Sequence, residues 1–273
     1  MFGVTVNYFS SIHSSTSTKQ SVFFALSLLK NCSHVSTIVL SDGSEAEDHE
    51  LRKYCESINV HYAHQGRLAS FGDTYNYGAC FLKEDWIALM ASDIYVYPAT
   101  FSAFDNFIKN HHELPIGCLI PYLSASDLLF QMNQNRLDAY ASLMTYNLNI
   151  FRRDVFLKIG GVNTMLNGCF NDIVTCIQLK KNGLDVFIVG GSYALHYGRL
   201  TVGNNINHKY IEDEKLFITK YPEYYDEDGY FKVKTVKFFK SNFLKVLFHI
   251  DRYYGNRKFT SAIIKHIPFF QKI

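Results

Sequence analysis

The sequence predicts an α/β protein built on a mostly parallel sheet flanked by helices, with a basic C-terminal extension. Three observations carry this. Over the first hundred residues, short β-branched and aromatic runs alternate with longer helix-like stretches, the pattern of parallel strands joined by crossover helices. Several strand-like runs stop at polar residues that include Asp, which is where an open parallel sheet binds its ligands. Charge is uneven: residues 231–273 hold ten Lys and Arg against one Asp, a balance of +9, whereas residues 1–230 hold 17 against 24, a balance of −7.

The elements follow in order. Residues 2–9 form an aromatic and β-branched first strand. The Ser/Thr-rich stretch 10–18 reads as a polar loop, and Thr18 or Ser21 can cap the helix that runs on to about Asn31. Residues 37–40 give a second strand, stopped by Ser41-Asp42-Gly43-Ser44. Residues 45–57 read as a helix whose acidic first turn suits the positive end of its dipole. A third strand is expected over 59–63, a helix over 73–82, and an apolar strand over 86–90 that ends at Ala91-Ser92-Asp93. Pro98 opens a helix over 99–110, proline being suited to a first turn. Residues 117–121 are a further strand, and residues 147–151, a helix over 153–159, Gly160-Gly161, a helix over 171–182 and a strand over 185–189 complete the body.

The body is expected to span residues 1–225 and the extension residues 226–273, with the acidic turn Asp226-Glu227-Asp228-Gly229 at the boundary. Within the extension, residues 240–253 can form an amphipathic helix with Phe243, Val246, Leu247 and Ile250 on its apolar face. Such a helix either packs back on the body or lies on an anionic membrane surface.

Composition excludes several classes. With 48% hydrophobic and 19% charged residues, the chain is neither disordered nor fibrous. The longest apolar run, residues 22–29, falls well short of the roughly 20 residues that span a bilayer. The N-terminus lacks a basic stretch followed by an apolar one, so no signal peptide and a cytoplasmic location are expected. Cys32, Cys55, Cys80, Cys118, Cys169 and Cys176 show no zinc-type spacing and read as reduced core thiols. Lys and aromatic residues interleave in the extension, but no nucleic-acid motif accompanies them, and no nucleic-acid partner is expected.

Asp42 and Asp93 both follow strands and are candidates for one rim of the sheet. One carboxylate could accept hydrogen bonds from a nucleoside, and the other could hold a divalent metal on a diphosphate through oxygen ligands. An Asp after a strand also serves as a turn or helix cap.

These residues sit within a wider order: Val4-Thr5-Val6-Asn7-Tyr8, then Ile38-Val39-Leu40-Ser41-Asp42-Gly43-Ser44, then Asn76-Tyr77-Gly78-Ala79, then residues 86–98 around Ala91-Ser92-Asp93. Asn149-Ile150-Phe151-Arg152-Arg153, Gly160-Gly161-Val162 and Phe170-Asn171-Asp172-Ile173 continue it. Over about residues 2–200 the chain resembles the GT-A (Rossmann-like) glycosyltransferases of the family 2 type. The resemblance implies a sugar-nucleotide-dependent, inverting transferase with a nucleotide-diphosphate-sugar donor, a glycan or glycolipid acceptor, and Mn²⁺ or Mg²⁺ as cofactor.

It also implies roles residue by residue. Asp42 matches the acid that binds the base or ribose. Asn76 and Gly78 match the start of a helix near the donor, Ser92 lies with them, and Asp73 and Arg67 could face the donor too. Asp93 matches the last acid of the metal-binding Asp-x-Asp motif, whose first acid is Ala91 here. Asp172 matches the second acid of a Glu-Asp pair and resembles an inverting base; the preceding Glu is replaced by Asn171. His196, beyond the last expected strand, can ligate the metal or contact the diphosphate, and Arg199 can pair with phosphate oxygens. Residues 203–208, with Asn204, Asn205 and Asn207, read as a mobile loop that could close on a ligand. Trp86 fits the core better than a sugar platform. The two lost acids keep an alternative open, a catalytically silent relative that binds nucleotide or glycan without turnover. A nucleotidyltransferase fits poorly, because residues 10–18 contain neither Gly nor Arg.

Overall fold

The computed structural model describes residues 1–10, 15–124, 138–141, 144–197 and 206–224. The extension (226–273), Arg199, the loop residues 203–205 and part of the segment between Tyr122 and Tyr146 lie outside the described residues. No helix among the described residues is long and apolar enough to cross a membrane.

The elements run β1 (Phe2–Tyr8), α1 (Ser15–Lys30), β2 (Val35–Asp42), α2 (His49–Ser57), β3 (His61–His64), α3 (Phe71–Cys80), β4 (Trp86–Ala91) and β5 (Ile94–Val96). They continue with α4 (Thr100–Asn110), β6 (Ile116–Leu123), β7 (Ala139–Ala141), β8 (Leu148–Arg152), α5 (Arg153–Lys158), α6 (Asn171–Lys181), β9 (Asp185–His196) and α7 (Ile206–Lys220). The nine strands form one sheet in the order β3-β2-β1-β4-β8-β6-β9-β5, with β7 also pairing β9.

The first four strands of the path are parallel, as the strand and helix alternation predicts. Their register brings the C-terminal ends together, because Tyr8 pairs with Asp42, Asp42 with His64 and Asn7 with Ala91. The other half is mixed, since β8 runs antiparallel between β4 and β6. β1 sits in the middle of the parallel half and is buried along its whole length, which explains its nearly unbroken apolar sequence.

Helices cover both faces. Val22, Leu26 and Leu29 of α1, Leu51 and Cys55 of α2, and Phe101, Phe104 and Phe107 of α4 pack on one side with Phe2, Val4, Val6 and Tyr8. Tyr75 and Ala79 of α3, Val155 and Phe156 of α5, and Cys176 and Leu179 of α6 form the core on the other. Trp86 packs against the first core, as expected. α7 adds a smaller cluster in which Phe217 meets Leu166, Phe170, Val174 and Ile177.

Several boundaries differ from the sequence reading. α1 begins at Ser15, inside the stretch read as loop. α2 begins at His49, not at residue 45, and Asp48 is its N-cap, accepting hydrogen bonds from the Glu50 and Leu51 amides. The last strand does not stop at residue 189: it runs on to His196, so His196 is a strand residue and does not lie beyond the strand. Residues 206–208 belong to α7 and not to a loop. Cys80 is exposed and Cys169 partly so, unlike the other four thiols.

α3 lies so close to the sheet that a Cβ at Gly78 would stand 2.0 Å from Thr5 Oγ1 and 2.9 Å from Ser41 Cβ. Gly78→Ala gains about 1 kcal/mol of helix propensity but forces α3 off β1 and β2, an overpacking cost of about 1–3 kcal/mol. The variant is expected to melt a few degrees lower in a thermal scan; an unchanged or higher melting temperature contradicts this packing account.

Candidate active site

The rim formed by the ends of β1, β2 and β4 is stitched by backbone and hydroxyl contacts. Gly43 N donates to Tyr8 O at 2.9 Å, Ser10 N to Ser44 Oγ at 2.7 Å, and Ala69 N to Gly43 O at 3.0 Å. The loops after β1 and β2 and the approach to α3 are therefore held together.

At the other side of this rim, β4 turns through Ser92 and Asp93 into β5, which pairs antiparallel with the end of β9. Ile94 pairs with His196, and Tyr197 N donates to Asp93 O at 2.9 Å. This register sets Asp93 Oδ2 3.5 Å from His196 Nε2, in a nearly buried position. One carboxylate oxygen and one imidazole nitrogen side by side suit a hard divalent cation whose remaining positions are filled by phosphate oxygens and water. No group of three or more ligand side chains occurs among the described residues, so such a cation depends on its substrate for most of its shell. Ser92 is buried, and its carbonyl accepts a hydrogen bond from Ser21 Oγ at 2.9 Å, tying the turn to α1.

Asp42 is fully buried, and both of its oxygens are engaged within the chain. Oδ1 accepts from Ser44 N at 2.9 Å and Oδ2 from the Tyr62 hydroxyl at 2.5 Å. Burial and the hydrogen bond to Asp42 hold the Tyr62 phenol well above its ordinary range, so Tyr62 remains a donor. Its oxygen also accepts from Asp48 N at 2.9 Å. Asp48 in turn contacts Lys19 Nζ at 3.0 Å and receives the Tyr8 hydroxyl at 3.4 Å. Burial opposes the charge on Asp48, but the hydrogen bond from Lys19 and the capping amides outweigh it and lower the carboxyl below its ordinary value.

The α3 residues are engaged as well. Asn76 Nδ2 donates to Val162 O and its Oδ1 accepts from Val162 N, both at 2.8 Å. A Cβ on Gly161, whose φ is +71°, would lie 2.4 Å from that Oδ1, so the close approach and the left-handed backbone both call for glycine. Asn76 thus fastens the loop after α5, and Gly78 lets α3 approach the strands. Asp73 is in the first turn of α3, with Arg67 Nη2 3.6 Å from its Oδ2.

Asp172 stands in the first turn of α6, partly exposed, with Oδ1 accepting from Ile173 N at 2.9 Å. Asn171 beside it is buried, and its Nδ2 donates to Asn163 O at 2.8 Å, a contact that an ionised Glu could not make. Two buried phenols pack between α3 and α6. Tyr146 hydrogen-bonds Thr175 at 2.5 Å, its ring stacks on Tyr75 at 5.6 Å between centroids, and Tyr75 OH donates to Tyr146 O at 3.5 Å. Both phenols are pushed far up by burial, with the Asp93 charge adding to Tyr75 and the Asp172 charge adding a smaller part to Tyr146. Neither Tyr62 nor this stack was signalled by sequence, since each acts through a partner far away in the chain.

No protein-family model matches the sequence, and no curated protein matches it. Solved structures do. S. aureus TarS 1–349 aligns with a TM-score of 0.59 at 13% identity, covering 80% of this chain and 64% of that one. The mannosyltransferase PcManGT from Pyrobaculum calidifontis, in complex with GDP-Man and Mn²⁺, aligns with a TM-score of 0.62 at 10% identity, covering 81% and 64%. The chain has the GT-A fold. GalNAc-T7 with UDP, GalNAc and Mn²⁺ shares it with a TM-score of 0.56 at 14% identity, covering 82% of this chain and 49% of that one. The chain spans less than two thirds of each of these GT-A structures.

The Asp48 contact makes a pH prediction. A carboxyl lowered in the folded state contributes stability above its unfolded value, near 3.8, and that contribution is lost as pH falls through the lowered folded value. Lys19→Met leaves burial unopposed by the ammonium. Melting temperature measured from pH about 3 to about 7 is expected to be lower at neutral pH and to begin its acid decline at higher pH than in the unaltered protein. Superimposable curves contradict this role for Lys19.

Proposed function

We propose that the protein is a sugar-nucleotide-dependent glycosyltransferase of the family 2 type, which transfers one sugar, with inversion, to a hydroxyl of a glycan or glycolipid acceptor. The observation that carries this reading is the Asp93 and His196 contact at the strand-end rim of a GT-A sheet. Three structures with this fold were obtained with UDP-GlcNAc, with GDP-Man and Mn²⁺, and with UDP, GalNAc and Mn²⁺, which supports a nucleotide-sugar donor and a divalent metal.

In this reading Asp93 and His196 hold Mn²⁺ or Mg²⁺, which when bound neutralises charge on the diphosphate leaving group. Ser92, fixed by Ser21, sets the turn that presents Asp93. Asp42 holds the loop that meets the nucleoside, because its own oxygens are already satisfied by Ser44 and Tyr62. Asp172 removes the proton from the acceptor hydroxyl as that oxygen bonds to the anomeric carbon. The bond from that carbon to the diphosphate oxygen breaks at the same time, and its electron pair leaves with the nucleoside diphosphate. Asn171 cannot take the proton, so the base role rests on Asp172 alone.

A catalytically silent relative is the second reading. It is favoured by the closed Asp42 carboxylate together with the two positions, Ala91 and Asn171, where acids are missing.

Asp172→Asn, assayed beside the unaltered protein, separates the two. With the donor identified by a sugar-nucleotide screen, the variant is expected to lose about 10²- to 10⁴-fold in transfer rate and to bind nucleotide as before. Full transfer by the variant removes Asp172 from the mechanism, and nucleotide binding without turnover in the unaltered protein establishes the silent relative.

A further inference from the structure

The loop that delivers Asp172 is held by a carboxylate from a helix over forty residues further on. Asp213 of α7 is fully buried, and its side chain faces the loop before α6. Asn167 N donates to both of its oxygens, at 2.8 and 3.0 Å, and Cys169 N donates to Oδ2 at 2.9 Å. No cation contacts it among the described ion pairs, so backbone amides alone offset its burial. Phe217, one helical turn along the same face, stacks on Phe170 at 5.2 Å between centroids. Phe170 is the residue before α6 and is left-handed, with φ +62°, a strained setting for a bulky side chain that surrounding contacts must impose.

The far end of the loop is equally fixed. Asn76 grips Val162, while Asn163 O accepts from Asn171 and Asn163 Oδ1 accepts from Met165 N at 2.9 Å. α7 fastens the middle of the loop: Asp213 takes the Asn167 and Cys169 amides, Lys220 Nζ donates to Met165 Sδ at 2.9 Å, and Phe217 packs on Leu166 and Phe170.

We propose that Asp213 is a positioning residue for Asp172: its buried carboxylate fixes the Asn167 and Cys169 amides, holds Phe170 in its left-handed turn, and so sets the direction in which the first turn of α6 presents the Asp172 carboxylate. This rests on Asp172 being the base of a transferase. An amide is a poorer partner: even with its oxygen at the Oδ2 position, its NH₂ group would stand against the Asn167 N–H that Oδ1 now accepts at 2.8 Å. Asp213 touches neither substrate nor the reacting atoms in this scheme.

The test is Asp213→Asn, assayed for transfer well below its melting temperature, with Asp213→Glu as the carboxylate-retaining companion. A base displaced by about 1 Å loses about 100-fold in rate, so kcat is expected to fall by that order while KM for the donor stays unchanged, and Glu is expected to recover part of the loss. Amide hydrogen exchange supplies a second readout, with protection at Asn167 and Cys169 falling in the Asn variant. Should the Asn variant not fold, the Glu variant carries the test, with reduced kcat and unchanged donor KM expected because the longer side chain displaces the loop. If kcat is unaltered in an active protein, or if kcat and KM change together in both variants, the positioning role is wrong while the transferase reading stands. If the unaltered protein transfers no sugar from any nucleotide donor, the transferase reading falls first and this inference with it.

Discussion

The metal-type pair depends on the path of one strand. β9 is twelve residues long and pairs with β6 along one edge, first through residues 185–188 and again through Tyr193 and Ala194. Between these stretches β9 advances from 188 to 193 while β6 advances only from 120 to 122. The surplus is a bulge containing Gly190 and Gly191, the latter with φ +80°, a backbone that glycine adopts without strain. Beyond the bulge β9 regains its partner and takes β5 on its outer edge, which sets His196 opposite Ile94 and beside Asp93. Without that continuation the two residues, more than a hundred positions apart, would have no common support.

Polar clamps, buried at Asp42 and Asp213 and partly exposed at Asn76, then do for the rest of the site what β9 does for this pair. Asp42 is satisfied by an amide and a phenol, Asn76 by both polar atoms of Val162, and Asp213 by the amides of Asn167 and Cys169. Asp42 and Asp213 would be costly to leave unpaired in the interior, and all three join segments distant in sequence. The outcome is a rim whose loops are fixed before any ligand arrives, the condition under which placed charges are most effective.

Much of the parallel half was legible in the sequence. The runs that became β1, β2 and β4 are apolar and β-branched, and the register brings the ends at which they stop to one rim. β9 was not legible beyond residue 189, because Gly190-Gly191 reads locally as a strand end and only tertiary pairing turns it into a bulge. α7 was missed altogether, its first residues having been read as part of a loop over 203–208. The contacts of Asn76 and Gly78 were hidden for a similar reason: a small residue and an amide at a helix start suit a ligand or a neighbouring backbone equally well, and their neighbours here, Val162 and Thr5, are far away in the chain. Asp213 carried no local signal at all, sitting between Glu212 and Glu214 in what reads as a solvated acidic run.

The central claim is that Asp93 and His196 form a metal-dependent nucleotide site. The most direct measurement is the thermal shift of the purified protein with UDP, GDP, TDP and CMP, each with and without Mn²⁺, repeated on His196→Ala. A ligand that binds only the folded state raises the melting temperature. The account predicts that one nucleoside diphosphate stabilises the protein only when Mn²⁺ is present, and that His196→Ala loses this stabilisation. Stabilisation that is indifferent to Mn²⁺ and to His196, or none with any nucleotide, contradicts it.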